Sequence, residues 1–385
     1  MEEILFEVTK DQLETGMRGY PVGYCTTSAV DPHKGLSYRG RFISELCQWD
    51  PERVLHLLYT GKEGTAQDIA GFSDELKKRA HCSHAVIKAI EELPRQGHAM
   101  KLFSTALLIL GMLEGQGDYR KDCLNVMAKI PHLVACVINA HAGFGETPQP
   151  RKDLGYMENF AYMVQVPDCN EEKLAPVLRI FNLLHYDHGG GNLSAFVGKS
   201  VASGLSDLYN SLSAAMCALA GPRHGKANQD CLAFLRSILD ELGSDPSADA
   251  VRQLVEKRLA AKQLIFGFGH AVLRVEDPRA AIFYSYAEEH FADHPLIKIA
   301  LLLRTEGQKV LAKNPKVANP YPNVDAISGA VLAAAGFDYP DYFTVLFGLS
   351  RVVGIAIQIV YERMEAREGK GTPIVRPRYL YKPMT

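Results

Sequence analysis

The chain has 385 residues, 47% of them apolar and 22% charged, and its formal net charge is −2. Those proportions suit a water-soluble globular protein of two domains, at roughly 100–200 residues each. A balance so close to neutral excludes a chain whose main partner is nucleic acid or an anionic membrane. No run of about 18 apolar residues is free of charge, because Arg351 interrupts the nearest one, Tyr342–Tyr361. The opening MEEILFEVTK has no basic segment followed by an apolar run, so no secretory signal is expected. Eight cysteines stand singly with no CxxC pair, which argues for a reducing compartment and against a zinc ribbon. His81-Cys82-Ser83-His84 offers metal ligands, but no second cluster has matching spacing, so no metal is expected.

Residues 1–40 are rich in turns (Gly16, Gly19, Pro21, Asp31-Pro32, Lys34-Gly35) and read as a short strand-turn lead-in. Helical spacing then takes over. Ile43–Tyr59, with Asp50-Pro51 as a start signal, is followed by helices over 64–80, 83–94, 99–115 and 119–142. Lys101–Leu113 is apolar around most of its circumference and should be buried. After a polar joint at 148–152, helical patterning returns at Asn159–Val164 and Pro176–Leu184. No fixed-period repeat is visible, and the fold class expected is all-α.

His185-Tyr186-Asp187-His188 is followed at once by Gly189-Gly190-Gly191-Asn192. On a helix, His185 and His188 would share a face. One reading is a glycine C-cap beside two surface histidines. The other is a histidine delivered where backbone must come close to a ligand, which would explain the length of the glycine run. Leu193–Ala220 is rich in Ala, Ser and Gly and suits either a tight core or a subunit interface. Gly221-Pro222 stops it, and an amphipathic helix follows with Cys231, Phe234, Leu235, Ile238 and Leu242 on one face. His224 therefore lies just before a helix N-terminus. There it reads either as a cap or as a neutral imidazole able to donate to a carbonyl oxygen.

Leu264–Arg279 (LIFGFGHAVLRVEDPR) concentrates the chemistry. Gly267 and Gly269 free the backbone around Phe268 and let a ligand approach. His270 and Arg274 would share a face if a helix ran there, with Asp277-Pro278 ending it before Arg279. That set suits a small anion with a carbonyl to polarise, or else a capped helix with solvated arginines. After a helix over Pro295–Ala312, two prolines stiffen the entry to Asp325 in YPNVDAISG. A carboxylate so placed reads as a general base or as an N-cap. In the last apolar helix, Arg351 needs an anionic partner, either a structural carboxylate or a ligand. The tail adds Arg363, Arg367, Arg376 and Arg378. There is no Walker loop, and GFGH lacks the third glycine of a dinucleotide fingerprint.

DHGGGN, GPRHGKANQ, GFGHAVLRVEDPR, YPNVDAISG and YFTVLFGLSR, in register from about Arg39 to Arg376, resemble the motif set of the citrate synthases, in particular the mitochondrial-like branch. The resemblance implies a multihelical two-domain fold. A large domain (1–222 and 332–385) would carry a smaller inserted one (223–331) that closes over the substrates. It implies condensation of acetyl-CoA with oxaloacetate and hydrolysis of citryl-CoA, with no metal and no cofactor beyond acetyl-CoA as substrate. Asp325 would take a proton from the acetyl methyl, His224 would bond the thioester oxygen, and His270 would polarise the ketone. His188, Arg279 and Arg351 would hold oxaloacetate, with Arg376 donated by the partner of a homodimer. Arg274 would meet the CoA phosphates, with Gly267 and Gly269 beside it. Gly189, Arg223 and Phe266 depart from the family pattern, which has Glu at the first position and an apolar residue at the second. A 2-methylcitrate synthase acting on propionyl-CoA, or a non-catalytic binder of CoA or a dicarboxylate, shares much of this pattern. With no transit peptide in view, a cytoplasmic prokaryotic enzyme is expected.

Overall fold

The computed structural model describes residues 4–315 and 317–383. Among them are sixteen α-helices and one three-stranded antiparallel sheet, with strands β1 (Ser28–Asp31), β2 (Gly35–Tyr38) and β3 (Arg41–Phe42) in that order. The all-α expectation with a short strand lead-in holds. β1 and β2 form a hairpin, paired from Ser28↔Tyr38 to Asp31↔Gly35.

Local signals explain most helix bounds. Asp118 caps Tyr119–Ala142 by accepting from the Arg120 and Lys121 N–H groups at 3.0 Å each, and Gly143 ends it in the left-handed region at φ +74°. Thr65 and Asp68 form a capping box at the start of Ala66–Arg79. Tyr119–Ala142 and the helix Phe343–Val360 are apolar and long enough to cross a membrane by length and composition, yet both lie mostly inside the fold. They pack on each other as core helices.

The small-residue stretch resolves into Leu193–Ser203 and Leu208–Leu219, which pack closely together. A Cβ on Gly198 would come within 3.1 Å of both Ala215 Cβ and Ile355 Cγ2, so the glycine lets three helices meet. The tight-core reading therefore applies. Ala227–Leu242, Ala248–Ala260, Pro278–His290, Pro295–Leu311 and Asp325–Ala334 pack largely on one another.

Four sequence expectations need correction. Pro176 does not start its helix, which runs Glu171–His185. The Asn170 side chain caps it, accepting from Glu172 and Lys173 N–H, and Pro176 lies inside. That helix ends at His185, so His185 and His188 share no helical face. No helix runs from His270 to Arg274; the segment is a loop. Asp277-Pro278 opens a helix instead of breaking one, because proline's missing N–H costs nothing at the first helical position.

Candidate active site

His188 stands on the loop that leaves Glu171–His185. Its backbone N–H donates to Asp187 Oδ1 at 2.8 Å, and the Gly189 N–H donates to Ser28 Oγ at 2.7 Å. Gly189 is left-handed at φ +76°, which favours glycine over the glutamate of the family pattern. Asp187 is buried and also accepts from the Thr27 hydroxyl and from Gln358 Nε2 at 2.7 Å. His188 is half-buried, but its Nε2 is fully buried and has no partner among the described residues. Burial, then the Arg279 and Arg351 charges, hold its ring neutral far below the usual range.

The second wall is two loops sewn together by backbone. Gly269 N–H donates to Tyr321 O at 3.0 Å, Asn323 N–H to Gly267 O at 2.9 Å, and Asn323 Nδ2 to Gly269 O at 2.9 Å. Gly267 sits at φ +83°, and a Cβ there would come within 2.7 Å of Ala326 Cβ, so only glycine allows this approach. The two glycines thus let the loop that carries His270 lie against the turn that leads into Asp325. Asp325 is the first residue of its helix rather than the cap, which is Val324. Burial raises its carboxyl to about pH 6, although the Arg279 charge pulls the other way.

The two imidazoles on this side are held by different partners. His270 Nδ1 accepts from the Val272 and Leu273 N–H groups, both at 3.0 Å, which leaves its proton on Nε2. His224 Nε2 lies 3.2 Å from the Ser194 backbone N and 3.0 Å from Ser194 Oγ, whose own proton goes to Asn192 Oδ1 at 2.9 Å. Burial, with the Arg351 charge, lowers His224 to about 4, so it is neutral at physiological pH. His224 lies in the turn before Ala227–Leu242, as its position in GPRHG suggested.

The two buried arginines differ. Arg279 holds Asp277 by Nε at 3.1 Å and 3.2 Å and by Nη2 at 2.7 Å. Burial works against its charge, and the carboxylate more than offsets that. Arg351 donates from Nε to His185 O at 3.2 Å and stacks over Phe347 at 4.7 Å. Among the described residues no carboxylate lies within ion-pair distance of it. Burial presses it down to about 10, still charged at neutral pH. The carboxylate that acts on it is the buried Asp187, through space and not by a contact ion pair.

The fold brings His188 and His270 together, with ring centroids 5.5 Å apart and edge to face. Arg279 and Arg351 act electrostatically on both His188 and Tyr38, and Arg279 acts on Asp325 as well. Two expected residues lie elsewhere. Arg376 is exposed. Arg274 turns its guanidinium back to the Val272 and Leu273 carbonyls at 2.9 Å each. Phe266 packs towards Phe234, centroids 5.9 Å apart. Sequence reasoning missed Thr27, Ser28, Asp187, Ser194, Asn323 and Gln358. Asp187, Ser194 and Asn323 flank the motifs and were findable. Thr27 and Ser28 reach the site from about 160 residues away and carry no local signal.

A profile of the family described as citrate synthase, C-terminal domain, matches residues 16–378. The chain is 36% identical over 387 residues to mitochondrial citrate synthase 4 of Arabidopsis thaliana, covering 93% of this chain and 80% of that one. It is 31% identical over 399 residues to a peroxisomal citrate synthase of Saccharomyces cerevisiae, covering 97% and 84%. The citrate synthase structure from Thermotoga maritima superposes with a TM-score of 0.81 at 29% identity, covering 97% of each chain. One from Pyrobaculum aerophilum gives 0.81 at 28%, covering 96% and 92%. The organelle names of the relatives overturn the expected cytoplasmic location. A leader lies outside the packed core, so folded sequence bears no mark of compartment.

Proposed function

The chain belongs to the citrate synthase family and is an acyltransferase of that class, and from that premise we propose that it condenses acetyl-CoA with oxaloacetate and hydrolyses the citryl-CoA formed. One observation carries the reading: His270 has its Nδ1 filled by two backbone N–H groups, so it presents a single Nε2–H donor 5.5 Å, ring to ring, from His188, while burial raises the Asp325 carboxyl on the adjoining turn to about 6. A carbon acid needs a base for its proton and a donor for the charge that appears.

Asp325, ionised above about pH 6, takes a proton from the acetyl methyl. His224, neutral, donates to the thioester oxygen as it gains enolate character. The enolate carbon attacks the oxaloacetate ketone, and the Nε2–H of His270 bonds the alkoxide oxygen that forms; a proton from water converts it to the hydroxyl, and the hydroxide left takes back the proton held by Asp325. Water then cleaves the thioester, releasing citrate and the CoA thiol. The open donors of His188 and Arg351, with Arg279, receive the oxaloacetate oxygens. We place the moving domain at 223–331, on the large domain 1–222 and 332–385. Arg376, exposed in one chain, completes the site of a second copy in a homodimer, and Arg274 meets the CoA phosphates once its loop is occupied.

Thiol release, measured with acetyl-CoA and with propionyl-CoA, each with and without oxaloacetate, tests this. Release that needs oxaloacetate and favours acetyl-CoA is expected. A preference for propionyl-CoA would make the chain a 2-methylcitrate synthase, since one methylene is worth only about 1–3 kcal/mol of discrimination. No release with either would leave a binder without turnover.

A further inference from the structure

The β1–β2 hairpin supplies no reacting group, yet it is bonded to both walls of the cleft. Towards the His188 loop, the Thr27 hydroxyl donates to Asp187, Ser28 Oγ accepts from the Gly189 N–H at 2.7 Å, and the Tyr38 hydroxyl accepts from the Asp187 N–H at 3.3 Å. Towards the other wall, the Arg274 N–H donates to Pro32 O at 2.8 Å. Gly35, at φ +86°, lies so close to Pro278 that a Cβ would come within 2.5 Å of its Cγ. Pro278 is the residue between Asp277 and Arg279. The hairpin tip is itself braced, because Asp31 Oδ1 accepts from the His33 and Lys34 N–H groups at 2.8 Å each.

We propose that this hairpin is a strut that sets the distance between His188 on one wall and His270 with Arg279 on the other, so that Asp31, Pro32 and Gly35 govern oxaloacetate affinity without touching it. The inference rests on the reading of the site as an oxaloacetate receptor. Its physical ground is that groups converging on one small dianion from two loops must keep their spacing, and an error of about 1 Å is costly. The hairpin is the element that is hydrogen-bonded to the loops of both His188 and His270. Asp31, Pro32, His33 and Lys34 are exposed, so the core does not depend on their side chains.

The test compares Asp31→Ala, Asp31→Asn and Gly35→Ala with the wild type. Oxaloacetate affinity is read by calorimetry as well as by KM, next to kcat, the KM for acetyl-CoA and Tm. Asp31→Ala should weaken oxaloacetate binding about fivefold with kcat at saturation unchanged. Asp31→Asn should stay within about twofold of the wild type, since its amide oxygen accepts the same two N–H groups. Gly35→Ala should weaken binding more than about tenfold, because it adds both a clash and a strained backbone angle. Unchanged oxaloacetate affinity in Asp31→Ala and Gly35→Ala, or a loss of Tm with affinity intact, would overturn the strut. An equal defect in Asp31→Ala and Asp31→Asn would also overturn it. A wild type that binds oxaloacetate but releases no thiol would overturn the proposed reaction while leaving the strut to stand or fall on calorimetry. A wild type that binds no oxaloacetate would overturn both.

Discussion

The two walls of the cleft treat their buried polar groups in opposite ways. On the wall formed by the His270 loop and the Asn319–Asp325 turn, nearly every group is filled from within. His270 Nδ1 takes two backbone N–H groups, Asn319 Nδ2 donates to Leu273 O at 2.6 Å, and Arg279 is locked to Asp277. On the wall of His188 and Arg351, groups are left open. His188 Nε2 is buried without a partner, and Arg351 spends one N–H on a carbonyl and none on a carboxylate. A buried polar group left unfilled is costly, so it marks the place a ligand will occupy. A filled one marks where an angle or a tautomer has been set in advance. The first wall fixes the geometry of proton transfer and ketone polarisation, and the second is charged to receive an anion.

Breaking the base should have the largest effect. Asp325→Asn should lower kcat roughly 10²–10⁴-fold with the substrate KM values little changed, as steady-state kinetics would show. Near-wild-type turnover would remove Asp325 from the mechanism. The arginines sharpen the comparison directly. Arg279→Leu strands the buried Asp277 carboxylate and should cost about 3–5 kcal/mol of stability in chemical denaturation. Arg351→Leu breaks no contact ion pair, and Asp187, the carboxylate it acts on from a distance, keeps its bonds from Thr27, the His188 N–H and Gln358. It should leave Tm near the wild type and weaken oxaloacetate binding by about 2–5 kcal/mol in calorimetry. If the two variants swapped behaviour, the contrast between the walls would be wrong. Next, His224→Ala should cost roughly 10²–10³ in kcat through loss of the thioester donor.

The smallest expected effect concerns pH. The usual carboxyl value for Asp325 is 3.8, and burial raises it to about 6 in the folded chain. An acid that holds its proton more tightly when folded makes stability fall as pH rises from about 4 to about 6, and stability stays lower above that. Asp325→Asn should therefore be more stable than the wild type at pH 8, by up to about 3 kcal/mol in chemical denaturation, with the gain fading below pH 4. The same ionisation makes kcat climb with pH through about 6. A variant less stable than the wild type at pH 8 would show that the carboxylate is bonded structurally.

Much of this was legible in the sequence. The helical spacing placed Tyr119–Ala142 to the residue, since caps, glycine and an apolar stripe are local signals. His188, His224, His270, Asp325, Arg279 and Arg351 stood out because each sits beside glycine, proline or an apolar run, although a cap, a surface position or an ion pair also explained each of them locally. What failed were inferences about side-chain direction that assumed a helix at His185–His188 and at His270–Arg274. Asp277-Pro278 and Pro176 misled because proline tolerates the first helical turn and starts no helix by itself.

The one-dimensional order of residues thus determined the helices, the burial of Phe343–Val360 and the chemical inventory of the cleft, all of which rest on spacings within a few turns of chain. Tertiary structure alone decided which arginine is paired, which nitrogen of His270 carries the proton, and that residues 27–38 brace both walls. Those outcomes depend on hydrogen bonds between segments far apart in the chain, and no local pattern encodes which partner a buried group will meet.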